Sequence, residues 1–415
     1  MADNRGLDTP PNPSRLPEPG PDALAHAGRV LAMLRESIRA ASGWIPFERY
    51  VELALYAPGL GYYAAGSRKL GPEGDFTTAP ELTPIFGQTL ARSAAELHAQ
   101  GLPDILEIGA GSGALAASML EELARLDALP GQYLILELSP DLRERSRDTL
   151  ARRVPQLMER VAWLSRLPPA FDGLVLGNEV LDAMPFALVV HDGQARWMER
   201  GVRLGERDAL VLVDRPATGE LLESVQALAA EHHLPPGYTT EIQREAQGFL
   251  RSLGAMPGRG VVLMLDYGFP AREYYHPQRH GGTMMCHYRH RAHDDALWMP
   301  GLQDITTHVD FTAMAHAAVE SGMELAGYTS QAAFLIASGI TDVLARIPVG
   351  QAAGYLPQSN AVQRLTSPAE MGELFKVIAF TRGMPSGGVP SGGASNHGGI
   401  APLAGFAVGD RSMAL

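Results

Sequence analysis

The chain has 415 residues, of which 46% are apolar and 19% charged, a balance typical of a globular protein with a full α/β core. Its 34 basic and 46 acidic residues give a net charge of −12 without a basic block, which argues against sequence-independent binding to nucleic acid. The single cysteine, Cys286, excludes an intrachain disulfide, and no apolar run approaches the roughly 20 residues of a membrane span.

Two segments precede the first predicted strand of the main sheet. Residues 1–21 are rich in proline and carry acidic side chains, so we expect a disordered arm and neither a signal nor a transit peptide. Residues 22–100 are predicted to form a helical lid segment, because apolar residues recur at helical spacing from its start. Thr83 followed by Pro84 predicts the beginning of a further helix.

A polar loop leads into that helix. Residues 74–84 combine Asp75, Thr77, Thr78 and Glu81 with two prolines and show no regular periodicity. A rigid polar loop of this kind commonly forms one wall of a binding site, so we predict that Thr78 contacts a ligand. The loop is equally consistent with a simple helix entry.

The stretch over 104–137 organises the rest of the chain. A short apolar strand over 104–108 ends at three glycines, and a helix is predicted over 113–126. A turn without side chains lets a ligand approach the backbone, and the following helix directs N–H groups toward it. The next strand, 132–138, ends in Glu137, a carboxylate placed to bind two ribose hydroxyls. The glycines are Gly109, Gly111 and Gly113.

The residues around this bend favour a nucleoside that carries positive charge. The glycine spacing is G-x-G-x-G and not the G-x-G-x-x-G of dinucleotide enzymes. Glu107 is expected to face the same pocket, and Ala110 and Leu138 complete the predicted cofactor contacts. The run from Glu107 to Gly113, with the acidic end of the next strand, resembles motif I of S-adenosylmethionine (SAM) dependent methyltransferases. The alternative is an ordinary glycine-rich turn between a strand and a helix.

Seven strand-like runs alternate with helical stretches and predict an α/β fold with a doubly wound, seven-stranded sheet. This domain is predicted over 101–382. The runs are 104–108, 132–138, 161–164, 173–177, 259–266, 323–329 and 375–382.

An insertion and a tail depart from this pattern. The insertion over 187–258 contains a hairpin with Asp-Gly in its turn, a third strand, and helices predicted over 219–232 and 240–253. It is expected either to recognise the acceptor or to serve packing, for example in a homodimer. Residues 383–415 begin with a Gly, Ser and Pro composition, and we predict a flexible tail.

Polar residues follow the fourth strand, where the reactive end of the cofactor is expected to lie. Asn178 is predicted to contact the cofactor, and Glu179 and Asp182 are candidate catalytic residues. Paired carboxylates could orient a guanidinium, which stays protonated at neutral pH, and accept its proton as the methyl group arrives. Both could instead only cap the next segment.

Histidines cluster further along the chain. His308 is included as a third candidate catalytic residue, although a structural hydrogen bond would explain it equally well. The spacing of the three histidines within 287–293 does not match a metal-binding helix face and no cysteine pair supports them, so no metal is expected. Asp310 is predicted to cap a helix over 311–321.

Together these motifs resemble the MidA-like family of SAM-dependent methyltransferases, which includes a mitochondrial complex I assembly factor that methylates an arginine. The matching segments span residues 30–382 in the family's order. They are Tyr-Ala-Pro-Gly-Leu-Gly-Tyr-Tyr from 56, Gly-Asp-Phe-Thr-Thr-Ala-Pro-Glu-Leu from 74, Glu-Ile-Gly-Ala-Gly-Ser-Gly from 107, Asn-Glu-Val-Leu-Asp-Ala-Met-Pro from 178, Leu-Asp-Tyr-Gly-Phe from 265, Gln-Asp-Ile-Thr-Thr-His-Val-Asp-Phe-Thr from 303 and Met-Gly-Glu-Leu-Phe-Lys-Val from 371.

The resemblance implies a class I core, SAM as cofactor and an arginine of a protein as acceptor, such as a subunit of respiratory complex I (NADH dehydrogenase). No mitochondrial presequence is visible, so a bacterial cytoplasmic member is expected, and the tail has no counterpart in the family. Two alternatives stay open. One is a methyltransferase acting on a small molecule, and the other is a SAM-binding assembly factor without turnover.

Overall fold

A computed structural model describes residues 16–65, 78–194, 196–383 and 401–415. Its helices are α1 (Pro21–Ala40), α2 (Phe47–Tyr56), α3 (Ala79–Leu82), α4 (Pro84–Ala99), α5 (Ala114–Arg125), α6 (Pro140–Arg153), α7 (Gly219–His232), α8 (Arg244–Ala255), α9 (Ala271–Tyr274), α10 (Phe311–Glu320), α11 (Gln331–Ala337), α12 (Ile340–Leu344), α13 (Ala352–Thr366) and α14 (Met371–Leu374).

Its strands are β1 (Trp44–Pro46), β2 (Asp104–Ile108), β3 (Tyr133–Leu136), β4 (Val161–Leu164), β5 (Gly173–Asn178), β6 (Ala187–His191), β7 (Trp197–Leu204), β8 (Leu210–Pro216), β9 (Thr239–Ile242), β10 (Gly260–Phe269), β11 (Met285–Tyr288), β12 (Arg291–His293), β13 (Asp304–Thr306), β14 (Val309–Asp310), β15 (Glu324–Ser330) and β16 (Phe375–Arg382).

The chain forms two compact units. One, here called the parallel-sheet unit, comprises Thr78–Asp182, Glu245–Tyr274 and Val309–Leu415. The other, here called the antiparallel unit, comprises Met1–Thr77, Ala183–Arg244 and Tyr275–His308.

The parallel-sheet unit contains the predicted doubly wound sheet. Seven strands follow the order β15-β16-β10-β5-β2-β3-β4, and the two-residue strand β14 pairs with the end of β10 as an eighth. Only β16 runs against its neighbours on this path. The predicted α/β class is confirmed, and all seven predicted strands are present.

Buried strands and capped helices explain why these residues fold in this way. β3 and β5 are buried at every position, as expected for strands covered by helices on both faces. The helix starts predicted at Thr83 and Asp310 are confirmed, and Ser139 caps α6 in the same way. The Thr83 Oγ1 accepts the Ile85 N–H, the Ser139 Oγ accepts the Leu142 N–H, and the Asp310 Oδ1 accepts the N–H groups of Thr312 and Ala313.

The antiparallel unit joins the N-terminal segment to the insertion. Its larger sheet has the order β1-β7-β6-β9, with β8 on β7, and β1 pairs with β7 through Ile45 and Val202. A smaller sheet, β12-β11-β13, comes from residues 285–306. The sequence predicts the N-terminal segment and the insertion as separate parts of the chain. In the structure their strands β1 and β7 belong to one sheet.

One element of the insertion was predicted wrongly. The helix expected over 240–253 begins only at Arg244, and Thr239–Ile242 is a strand. The β-branched residues there pair with β6, and the buried carboxylate of Glu241 accepts the N–H groups of Thr283 and Met284. Because the partners are distant in the sequence, tertiary pairing outweighs the local helical pattern.

The structure also differs from the flexible tail predicted through Leu415. Residues 401–415 pack against β15 and α11, and the Phe406 ring lies 5.1 Å from that of Phe334 on α11, between centroids. The Tyr328 N–H donates to Asp410, and the Tyr328 carbonyl accepts the Arg411 N–H. Apolar side chains in this last stretch therefore anchor it. The predictions for 1–15, 66–77 and 384–400 fall outside the described residues.

Among the helices of the described ranges, none is both long and apolar enough to cross a membrane.

Candidate active site

The glycine bend lies between β2 and α5 in the parallel-sheet unit. Gly109, Gly111 and Gly113 all have positive φ, at 66°, 54° and 80°, a region that side chains disfavour. The Gly109 N–H donates to the Leu136 carbonyl at 2.9 Å, which ties the bend to the end of β3. Gly109 is exposed and Gly111 half-buried, so part of the bend's backbone is accessible at the carboxyl end of β2.

Gly113 has a second constraint besides its backbone conformation. A Cβ at this position would lie 2.9 Å from the Cα and 3.0 Å from the carbonyl oxygen of Ser146, which belongs to α6. Backbone atoms cannot move aside as the end of a flexible side chain can. This glycine therefore sets how closely α5 approaches α6.

We expect Gly113→Ala to lower the free energy of unfolding by about 2 to 4 kcal/mol, because a left-handed conformation costs about 1 kcal/mol and overpacking adds about 1 to 3. Gly101→Ala is the matched control. Gly101 has nearly the same φ, 83°, but no atom lies within 4 Å of its added Cβ. Urea unfolding measures both variants, and equal losses would contradict the packing role of Gly113.

Glu137 lies directly beside the bend. Its Oε2 is 3.3 Å from the Gly111 nitrogen, and its Oε1 accepts the Ser139 N–H at 2.9 Å. Burial raises the pKa of Glu137, and the hydrogen bonds from these backbone groups oppose that shift. The two predicted parts of a nucleoside site, bend and acidic strand end, are therefore adjacent in space. Leu138 follows, with 68% of the residue's surface exposed.

Glu107 is enclosed more completely than the sequence suggested. It is 2% exposed, and its Oε2 accepts the Tyr133 hydroxyl at 2.6 Å. Burial raises the pKa of Glu107 to about 7, while the Tyr133 hydrogen bond opposes the shift and the charge of Glu137 adds to it. Ala110, a predicted cofactor contact within the bend, is also buried.

The raised pKa of Glu107 predicts that the free energy of unfolding depends on pH. Because the carboxyl of Glu107 is protonated in the folded state up to about pH 7 but ionises near 4.5 when unfolded, its contribution to stability is lost as the pH rises between these values. Glu107→Gln cannot ionise, so its stability relative to wild type should increase over this range by at most about 1.4 kcal/mol per pH unit.

Urea unfolding of wild type and Glu107→Gln across this pH range, without ligand, measures the difference. The exposed residue Glu324 provides the control variant, Glu324→Gln. A difference between wild type and Glu107→Gln that stays constant with pH would contradict the raised pKa of Glu107.

The short helix α3 forms a wall over the bend. Glu81 accepts a hydrogen bond from the Ser112 hydroxyl, which belongs to the glycine-rich loop. The Ala79 N–H lies 3.4 Å from the Glu179 Oε1, so α3 also contacts the end of β5. Thr78 is the residue just before α3. Asp75 and Thr77, the other polar residues of this predicted loop, fall outside the described residues.

The carboxylates predicted for the acceptor lie after β5. Asn178 is its last residue, and the Asn178 amide donates to the Glu179 Oε1 at 3.2 Å. Asp182 is buried, with 5% of its surface exposed. Asp266, on β10, faces both acids, and burial together with the charges of Asp182 and Glu179 raises its pKa well above the usual range. Three acidic side chains therefore share this edge of the sheet.

Asp266 is a site residue without a role assigned from the sequence. In the sequence it belongs to the predicted strand over 259–266 and to the family segment that begins at Leu265, and neither indicates what its side chain contacts. The contacts it makes with residues after β5 depend on the pairing of β5 with β10, which joins Asn178 to Leu265. Local sequence does not specify that pairing.

His308 lies in the antiparallel unit and is half-buried. Its N–H donates to the Thr283 hydroxyl at 3.1 Å, and its carbonyl accepts from the Gln243 amide at 3.0 Å. These bonds hold the backbone of His308 within that unit. Its catalytic role stays a prediction.

The nearby histidines show no metal-binding arrangement. Burial lowers the pKa of His287 to about 4, which favours the neutral ring. Within the described ranges, no three His, Cys, Asp or Glu side chains converge on a position that could hold an ion.

A family model of S-adenosyl-L-methionine-dependent methyltransferases matches residues 87–329, more than half of the chain. The chain belongs to this methyltransferase family. The match covers the glycine bend, Glu137, the carboxylates after β5 and the whole insertion. SAM is accordingly the cofactor of this methyltransferase.

A solved structure supports both family and fold. A protein from Burkholderia thailandensis, crystallised with S-adenosyl-homocysteine (SAH), is 51% identical in sequence to this chain. The alignment covers 96% of this chain and 100% of that protein with a TM-score of 0.89. SAH is what remains of SAM after its methyl group has been transferred.

Curated relatives are more distant in sequence. The Drosophila melanogaster protein arginine methyltransferase NDUFAF7 homolog is 28% identical, over 90% of this chain and 89% of its own. The Homo sapiens protein arginine methyltransferase NDUFAF7 is 27% identical, over 82% of this chain and 80% of its own. Both are mitochondrial proteins by name.

Proposed function

We propose that this enzyme transfers a methyl group from SAM to an arginine side chain of a protein, with a subunit of respiratory complex I as the candidate acceptor. The observation that carries the proposal is the group of acids Glu179, Asp182 and Asp266 at the sheet edge, beside the wall formed by α3. A cationic, planar acceptor suits such a group better than a neutral one does. The curated relatives named as protein arginine methyltransferases support the same acceptor.

The residues of the bend fit SAM. The three glycines place no side chain over the bend and have positive φ, and a Cβ on Gly109 would lie 3.3 Å from the Val180 side chain. Glu137 would bind the ribose hydroxyls, with Leu138 and Ala110 beside the nucleoside and Asn178 and Thr78 toward the methionine end. Glu107 adds negative potential when ionised. When bound, SAM supplies an electrophilic methyl group on a positively charged sulfur.

The acids after β5 would act on the acceptor. A guanidinium is protonated at neutral pH and is a poor nucleophile until one N–H proton leaves. Glu179 and Asp182 would accept hydrogen bonds from two of its nitrogens, which fixes the plane of the group. One carboxylate would then take the proton as the new C–N bond forms and the sulfonium bond breaks.

Mass spectrometry of the acceptor tests this proposal. Purified enzyme and SAM are incubated with complex I subunits from the source organism, and arginine-containing peptides are examined for the mass of added CH₂ groups. Modification of one arginine, lost when that arginine is replaced by lysine, is the expected result. Methylation of small molecules with no modified peptide would overturn the proposal and favour a small-molecule acceptor.

A further inference from the structure

One side chain of β10 holds the backbone after β5 in a strained conformation. Glu179 has a φ of 54°, which is uncommon for any residue with a side chain. Its N–H donates to the Leu265 carbonyl at 2.8 Å. The next three N–H groups, of residues 180, 181 and 182, all donate to the Asp266 Oδ2, at 3.1, 2.9 and 3.3 Å. Strained backbone persists only where surrounding contacts hold it in place. Of the four hydrogen bonds that the N–H groups of residues 179–182 donate, three go to the Asp266 carboxylate.

The position of Asp266 is costly for stability. The residue is 1% exposed, and its other oxygen accepts the Tyr267 N–H at 2.9 Å. The acids Glu179 and Asp182 face it, while Lys376, opposite it on β16, donates to Glu373. A buried acid among like charges destabilises a fold. Residues that lower stability in this way are expected at functional sites.

We propose that Asp266 is a positioning residue for methyl transfer: it fixes the turn over 179–182 so that the acids on it stay beside the cofactor bend. The proposal rests on the proposed function, because Glu179 and Asp182 act on the acceptor there. Since Asp266 contacts the backbone of the turn, while the glycine bend and Glu137 follow β2 and β3, its loss should lower kcat and leave cofactor affinity largely unchanged.

The test compares Asp266→Asn and Asp266→Ala with wild type. Asparagine keeps one oxygen that can accept N–H groups, whereas alanine keeps none. We expect faster amide hydrogen exchange at residues 180–182 in both variants, and more so in Asp266→Ala. We expect kcat to fall on the order of 10- to 100-fold, which is the effect of misplacing a reacting group by about 1 Å, while the KM for SAM and the Kd for SAH stay unchanged.

Asp104→Asn is the matched control. Asp104 also accepts a backbone N–H, from Gln132 at 2.9 Å, but it begins β2 at the opposite edge of the sheet. This variant should keep both kcat and the exchange of residues 180–182. If Asp266→Asn lowers only thermal stability, with kcat unchanged, the residue is structural and the proposal is overturned.

Amide exchange and SAH binding need no acceptor, so they separate two kinds of failure. If wild type methylates no protein arginine, the proposed function fails. The positioning role is overturned separately if residues 180–182 exchange at the wild-type rate in Asp266→Asn and Asp266→Ala.

Discussion

Glu179→Gln should abolish most methyl transfer and leave the cofactor bound. The substitution keeps the length of the side chain and one oxygen that can accept from the Ala79 N–H and the Asn178 amide. What it removes is the negative charge and the ability to take a proton. A positioned general base contributes about 10²- to 10⁴-fold to rate, so we expect kcat to fall about 100-fold or more.

Two measurements on the same preparation check this result. Calorimetry with SAH should give the wild-type Kd, and incorporation of labelled methyl groups into the acceptor should be close to background. Glu159→Gln, at an exposed position before β4, should match wild type in both. Normal turnover in Glu179→Gln would remove the residue from the mechanism.

Glu137→Ala should have the opposite outcome, with the cofactor lost. In the proposed site this carboxylate binds two ribose hydroxyls, and each hydrogen bond to a charged group contributes about 1.5 to 3 kcal/mol. The substitution also leaves the Ser139 N–H without the acceptor it has now. We therefore expect the Kd for SAH to rise about 100-fold or more, as measured by calorimetry.

Asp148→Ala is the control for Glu137→Ala. Asp148 is an exposed acid on α6, the helix that follows Glu137. Asp148→Ala removes one negative charge outside the bend. It therefore distinguishes the loss of the Glu137 contact from a change in net charge alone. An unchanged Kd in Glu137→Ala would exclude the ribose contact and with it the proposed orientation of the cofactor.

The parallel-sheet unit could be predicted from the sequence because its signals are local. Strand β2, the three glycines and Glu137 lie within 34 residues, and each follows from periodicity or from backbone freedom. The helix caps Thr83, Ser139 and Asp310 are likewise properties of short stretches. Such features depend little on the rest of the chain.

The antiparallel unit could not be predicted in the same way. Strand β1 pairs with β7 across more than 150 residues, from Trp44 to Arg203, and nothing near either strand indicates the other. The role of Asp266 is hidden for the same reason, because its partners follow a different strand. The β1–β7 sheet and the contacts of Asp266 both depend on pairing between strands that are distant in the chain. A single sequence contains little information about such pairing.

The last fifteen residues have a consequence for self-association. β15 ends the main sheet, and an open strand of this kind invites another chain to add to it. Asp410 and Arg411 already occupy the outward N–H and C=O of Tyr328 at its centre. A second copy could not add a strand at this residue unless the stretch over 401–415 first came away, so this stretch protects β15 from strand addition.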